Sequence, residues 1–151
     1  MDVTLFGRVT YQGFESFWPQ VAHDPASPKG LVEYADQLNA MRKIVFSKTL
    51  SHVEWNNSVL VKEVVAEEIT NLKQESGRDM VIYGSASIVQ TLANLGLIAT
   101  YQLLVFPVVL GSGKPLFQDI LHRVQLSLVS TKPLPSGVVV LSYQPIQAFL
   151  H

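Results

Sequence analysis

Apolar and polar positions change period along this chain, and the changes mark out its elements. Val3 to Phe6 is a short apolar run stopped by Gly7 and reads as a strand. From Arg8 to Phe17 the spacing is helical, with Val9, Phe14 and Phe17 as the inward set. Trp18-Pro19 and the stretch His23 to Gly30, with its prolines, read as loop. Leu31 to Ala40 is a predicted helix carrying Leu31, Tyr34, Ala35 and Leu38 on one side. The run "KIVFS" (Lys43 to Ser47) and, after an Asn56-Asn57 turn, Ser58 to Val61 are predicted strands. Val64 to Glu75 has the clearest amphipathic pattern. Val65, Ile69 and Leu72 face inward there, Glu67, Glu68, Lys73 and Glu75 face water, and Gly77 is expected at C′.

Met80 to Tyr83 is a further strand, Ala86 to Leu95 a helix, and Gly96 its C′ residue. Thr100 to Val109 is β-rich, with Pro107 marking a bulge or strand end. "LGSGKPLF" reads as a loop. Val124 to Thr131 and Val138 to Tyr143 alternate, are joined by "KPLPSG", and are expected to pair antiparallel. Strands alternating with helices, then a β-rich tail, predict a single-domain α/β sandwich on a mixed sheet whose C-terminal strands are antiparallel.

Composition narrows the classes. The chain has 151 residues, 48% apolar and 15% charged, enough for one well-buried core. A positive mean hydropathy hints at self-association. The formal charge of −1 gives no reason to expect nucleic acid or an anionic membrane as partner. No apolar run reaches the ~18 residues of a membrane span, and no signal peptide opens the chain, so a cytoplasmic protein is expected. The absence of cysteine excludes disulfides, thiolate metal sites and a cysteine nucleophile. His23, His52, His122 and His151 are scattered, so no metal site is expected.

Chemistry collects at three predicted strand ends. In parallel α/β sheets ligands bind beyond the carboxyl ends of the strands, where helix N-termini offer unpaired N–H groups. The first end is Gly7-Arg8 with Thr10 in the following helix. Arg8 is a fork of donors suited to phosphate, or else a solvated side chain beside a helix cap. The second is Ser47-Lys48. A hydroxyl and a cation there suit the 2′-phosphate of NADP, where an acidic residue would favour the free 2′-hydroxyl of NAD; an ordinary turn is the alternative. The third is "YGSASI", in which Gly84 permits close backbone approach and Ser85 or Ser87 either caps the helix or donates to a pyrophosphate. "LGSGKPLF" is not a P-loop, because Pro115 stands where a metal-binding Ser or Thr is needed. Trp18 and Trp55 read as core or interface rings. Glu15, Asp24, Glu33, Asp36 and Asp119 are candidate general acids by position only, and each also reads as a surface carboxylate.

The stretches "LFGRVTYQGFESFWP", "KIVFSKTL", "VIYGSASIVQTL", "GLIATYQLLVFPVVLGSGKPLF" and "SGVVVLSYQP", in this order, resemble the dihydrofolate reductase-like superfamily. Within it, the chain is most similar to the C-terminal reductase domain of the riboflavin-biosynthesis deaminase–reductase, from Val3 to about Pro145. The resemblance implies a three-layer αβα sandwich with a central mixed sheet, NADPH as cofactor, and a homodimer. It implies that Gly7, Arg8 and Thr10 lie along the phosphates and Ser47 and Lys48 near the 2′-phosphate. Gly84, Ser85, Ala86, Ser87 and Ile88 would then cradle the pyrophosphate. The Gly111–Lys114 loop would lie on the substrate or dimer side.

Two departures shape what to expect. Relatives usually carry Gly-Gly where this chain has Gly84-Ser85, often with a strained peptide; serine is expected to keep the bond trans and to shift the pyrophosphate seat. Relatives also begin with an additional central strand and a Ser-x-Asp-Gly loop, whereas Met1 falls inside what would be the second strand. Apolar edges and unpaired backbone groups are expected in consequence. Three functions remain open: an NADPH-dependent reductase of a small heterocyclic or ribosylamine substrate, a dinucleotide-binding module without turnover, and a dimeric interaction protein.

Overall fold

The computed structural model describes residues 3–75 and 79–146. Strand β1 (Val3–Gly7) runs without a linker into α1 (Arg8–His23), followed by α2 (Lys29–Ala40), β2 (Arg42–Phe46) and β3 (Ser58–Val61). Helix α3 (Ala66–Gln74), β4 (Met80–Gly84) and α4 (Ala86–Asn94) come next, then β5 (Tyr101–Val105), β6 (Leu126–Pro133) and β7 (Val139–Pro145). Contacts divide the chain into two units, Met1–Thr91 and Leu92–His151.

The first unit is built on a parallel sheet in the order β3-β2-β1-β4. Of its central strands β1 is buried throughout and β2 in all but Arg42, as parallel strands covered on both faces are. On one face Phe6, Tyr11, Leu38, Met41, Val45 and Trp55 form the core, with Phe14, Trp18, Tyr34, Leu60, Val81 and Tyr83 packed around them. On the other, Ile44, Phe46, Val59 and Val61 share a cleft with Ile69 and Leu72 of α3. Helices α1 and α2 thus cover one face and α3 the other, giving three layers within this unit.

Lys43 points into the α1–α2 face and is fully buried. Its Nζ donates to the carbonyls of Asn39 (3.1 Å), Met41 (2.8 Å) and Asn56 (2.8 Å), and lies 4.4 Å from the centroid of the Trp55 ring. Burial pushes the ammonium down to about 8.

Helix α1 differs from the sequence expectation in length and in phase. It continues through Trp18-Pro19, read above as loop, to His23. Its inward row is Tyr11, Phe14, Trp18 and Val21, whereas Val9 and Phe17 are 57% and 52% exposed. The amphipathic rings explain the misreading: Tyr11 and Trp18 take core positions, and the Tyr11 hydroxyl accepts from Trp55 N at 3.1 Å. Leu31 and Val65, both expected inside, are also exposed. Val65 is the N-cap residue of α3, immediately before its first turn. Gly77 lies outside the described residues.

The second unit is an antiparallel sheet in the order β5-β7-β6, with the expected pairing of the last two strands. Gly96 ends α4 at φ +68°, with Leu97 N donating to Leu92 O and Gly96 N to Ala93 O, the paired bonds of a Schellman cap. Strand β5 stops before Pro107. The class is α/β as expected, but the parallel and antiparallel strands form two separate sheets among the described residues, not one mixed sheet. Strand β4 pairs only with β1, and β5 only with β7, because no described strand joins either free edge.

Candidate functional site

Parallel pairing brings the carboxyl ends of all four strands of the first sheet to one side. Gly7 stands opposite Phe46, Phe46 opposite Val61, and a register shift after Leu5 sets Phe6 opposite Gly84. Helix α1 opens directly from Gly7, which as N-cap has no side chain to satisfy the first amides, and the first turn holds no acid. Helix α4 opens beside it, its first turn closed by Ile88 N and Val89 N donating to Ser85 O.

These two openings touch. A Cβ on Gly84 would lie 2.8 Å from Thr10 Oγ1, and one on Gly7 would fall onto Ser85 Oγ. Gly84 has φ +142°, a conformation side-chain-bearing residues avoid. The Gly84–Ser85 peptide is cis. This corrects the expectation of a trans bond. Ser85 Oγ is 3.4 Å from Ser87 Oγ. Gly7, Thr10, Gly84, Ser85, Ala86, Ser87 and Ile88 therefore belong to one junction, with Ile88 buried beneath it. Arg8 is exposed at its rim, its Nη1 donating to Gln12 Oε1 at 3.2 Å.

The second strand end sits differently. Ser47 is buried, and its Oγ accepts from Thr49 N (3.2 Å) and Leu50 N (3.1 Å), so the hydroxyl holds its own turn. Lys48 is exposed and lies 3.4 Å from Glu63 Oε1. Glu63 escaped the sequence reading, since it follows β3 and meets Lys48 only because β2 and β3 run parallel in register. The signal was present as an acid placed just past the neighbouring strand end.

The candidate acids do not converge. Glu15 accepts from the Tyr11 hydroxyl at 3.3 Å, Asp24 Oδ1 accepts from Ala26 N, and Glu33 and Asp36 are exposed on α2. Asp119 lies in the second unit, where its carbonyl accepts from Asn94 Nδ2. The Tyr34 and Tyr83 hydroxyls are hydrogen-bonded at 2.9 Å, and burial pushes the Tyr83 phenol well above its ordinary value.

A parallel sheet with helices on both faces and an antiparallel C-terminal set of strands are consistent with the dihydrofolate reductase-like class. Within it the chain belongs to the RibD C-terminal domain family, which it matches over residues 1–140. It is 36% identical to the uncharacterized protein YyaP of Bacillus subtilis (strain 168), over 95% of this chain and 73% of that protein. It is 27% identical to YwjB of the same strain, also uncharacterized, over 91% and 71% respectively. Among solved structures it is similar to a riboflavin-biosynthesis-type protein of Shewanella sp. PV-4, with TM-score 0.72 and 20% identity over 97% of this chain and 75% of that one. A pyrimidine reductase-like protein of Corynebacterium diphtheriae gives 0.64 and 15% over 97% and 76%. Acinetobacter baumannii RibD gives 0.60 and 14% over 96% and 47%. The fold is therefore reductase-like.

Proposed function

We propose that this chain is an oxidoreductase of the riboflavin-biosynthesis reductase type, binding NADPH at the carboxyl ends of its parallel strands and acting on a small heterocyclic or ribosylamine substrate. The observation that carries the proposal is the meeting of the α1 and α4 openings at Gly7 and Gly84. Two sets of helix-start amides, the hydroxyls of Thr10, Ser85 and Ser87, and Arg8 at the rim make a donor set that suits a pyrophosphate. The absence of a Cβ at either glycine is what lets the two junctions approach. When bound, NADPH supplies a hydride.

The chain's own part is then binding and orientation. Amides at the helix starts hold the phosphates, Arg8 adds charge-assisted donors, and Lys48 serves the adenosine end. A cytoplasmic location is part of this reading, and so is a single domain, supported by a family match that runs through both units. Among the described residues no helix is long and apolar enough to cross a membrane. A homodimer is also proposed, supported by the apolar residues the second unit leaves exposed, among them Phe106, Val108, Val109, Leu110 and Leu121.

The test is a fluorescence or calorimetric titration of the full chain with NADPH, repeated on Arg8→Ala. Binding in the micromolar range that weakens about tenfold or more in the variant supports the reading. No binding to the intact chain overturns it in favour of an interaction protein on a reductase fold.

A further inference from the structure

The acid that the fold sets beside Lys48 bears on which dinucleotide the site accepts, a question resting on the dinucleotide reading above. Beyond the Phe46–Val61 pair, Ser47 N donates to Val61 O at 3.0 Å, tying the two strand ends together. From these tied ends Lys48 and Glu63 leave as an exposed ion pair, with 72% and 68% of their side chains accessible. Ser47 Oγ accepts from Thr49 N and Leu50 N and lies 3.3 Å from Thr49 Oγ1, so the hydroxyl is engaged within its own turn.

The two nicotinamide dinucleotides differ at one position of the adenosine ribose. A 2′-phosphate is an anion that seeks a cation, whereas a free 2′-hydroxyl is a donor that a carboxylate can accept. We infer that Glu63 sets the dinucleotide preference, holding Lys48 away from a 2′-phosphate and offering a carboxylate to a free 2′-hydroxyl, so that the site takes NADH as well as NADPH. Lys48 must leave Glu63 to meet a 2′-phosphate, which also approaches the carboxylate against like-charge repulsion. Because the pair is exposed, the exchange is possible and costs only a few-fold in affinity. Glu63 thus tempers a preference that Lys48 alone would make strong.

The experiment is a titration of the full chain with NADPH and with NADH, on the wild type, Glu63→Gln, Glu63→Gln with Lys48→Ala, and Glu67→Gln. The last makes the same change of charge on the exposed face of α3. The expected result is that the wild type binds both dinucleotides and Glu63→Gln binds NADPH about three- to fivefold more tightly, without tighter NADH binding. The gain should disappear with Lys48→Ala and shrink at high salt, and Glu67→Gln should match the wild type. If the wild type binds dinucleotide but Glu63→Gln leaves the ratio of the two affinities unchanged, or Glu67→Gln alters it equally, the role of Glu63 is overturned and the site stands. If the wild type binds neither, both fall.

Discussion

Lys43 spends a charge in a place where most strands carry valine. It is held there by three carbonyls, from Asn39 and Met41 at the end of α2 and from Asn56 in the turn before β3, with the Trp55 ring alongside. The carbonyls at a helix C-terminus carry the negative end of its dipole, so a cation there joins α2 to the turn. Burial still lowers its proton affinity, to about 8, against 10.5 for a free lysine. Between those values the unfolded chain holds the proton and the folded chain does not, so this group's contribution to stability rises with pH from about 8 to about 10.5 and is level below and above. Urea unfolding from pH 7 to 10.5 should show the wild type gaining on Lys43→Met across that window. A constant difference would mean that Lys43 titrates as an ordinary lysine. Residue by residue, the sequence disclosed what lay close together along the chain. Arg8, Thr10, Ser85 and Ser87 stood next to their own glycines, while Glu63 could be linked to Lys48 only once β2 and β3 were known to be neighbours.

At the level of elements, two strand-to-helix joints share one space, and Gly84 is where they are tightest. Gly84→Ala would place a methyl 2.8 Å from Thr10 Oγ1 and also impose φ +142° on a residue with a side chain. The expected cost is about 2–4 kcal/mol, read by chemical denaturation. Adding Thr10→Ala removes the contact but not the backbone conformation, so the double variant should recover only part of the loss; full recovery would show that crowding alone mattered. The alternation of strands and helices was legible because hydrophobic period changes at each boundary, and β3 was read residue for residue. The face of α1 was not, because Val9 and Phe17 outrank Tyr11 and Trp18 on hydrophobicity while the rings with polar tips fill the core. Pro19 misled for a related reason: a proline removes one helical hydrogen bond, and α1 continues past it, held by Trp18 on one side and Val21 on the other.

Across the whole molecule, the two units present different surfaces. The first buries β1 completely and β2 in all but Arg42, while the second leaves Val109 97% and Leu110 78% exposed in the segment after β5. If a second copy covers that segment, sedimentation equilibrium should give twice the chain mass at tens of micromolar. Val109→Asp combined with Leu110→Asp should return the monomer with its circular dichroism unchanged. A wild type that stays monomeric would remove the homodimer from the proposal. The division into a parallel and an antiparallel sheet could not be read from periodicity, which reports which face a residue takes but not which strands meet. That topology also sets an order of assembly. Strand β1 leaves the ribosome before any other described strand, yet its partner Met80–Gly84 is only the fourth of them, Val3 lying opposite Met80. One side of β1 can pair with β2 soon after α2 is made, but the other must wait, uncovered, until β4 has been synthesised. The nascent chain therefore exposes its most buried strand longest, and that interval is when a chaperone would have most to hold.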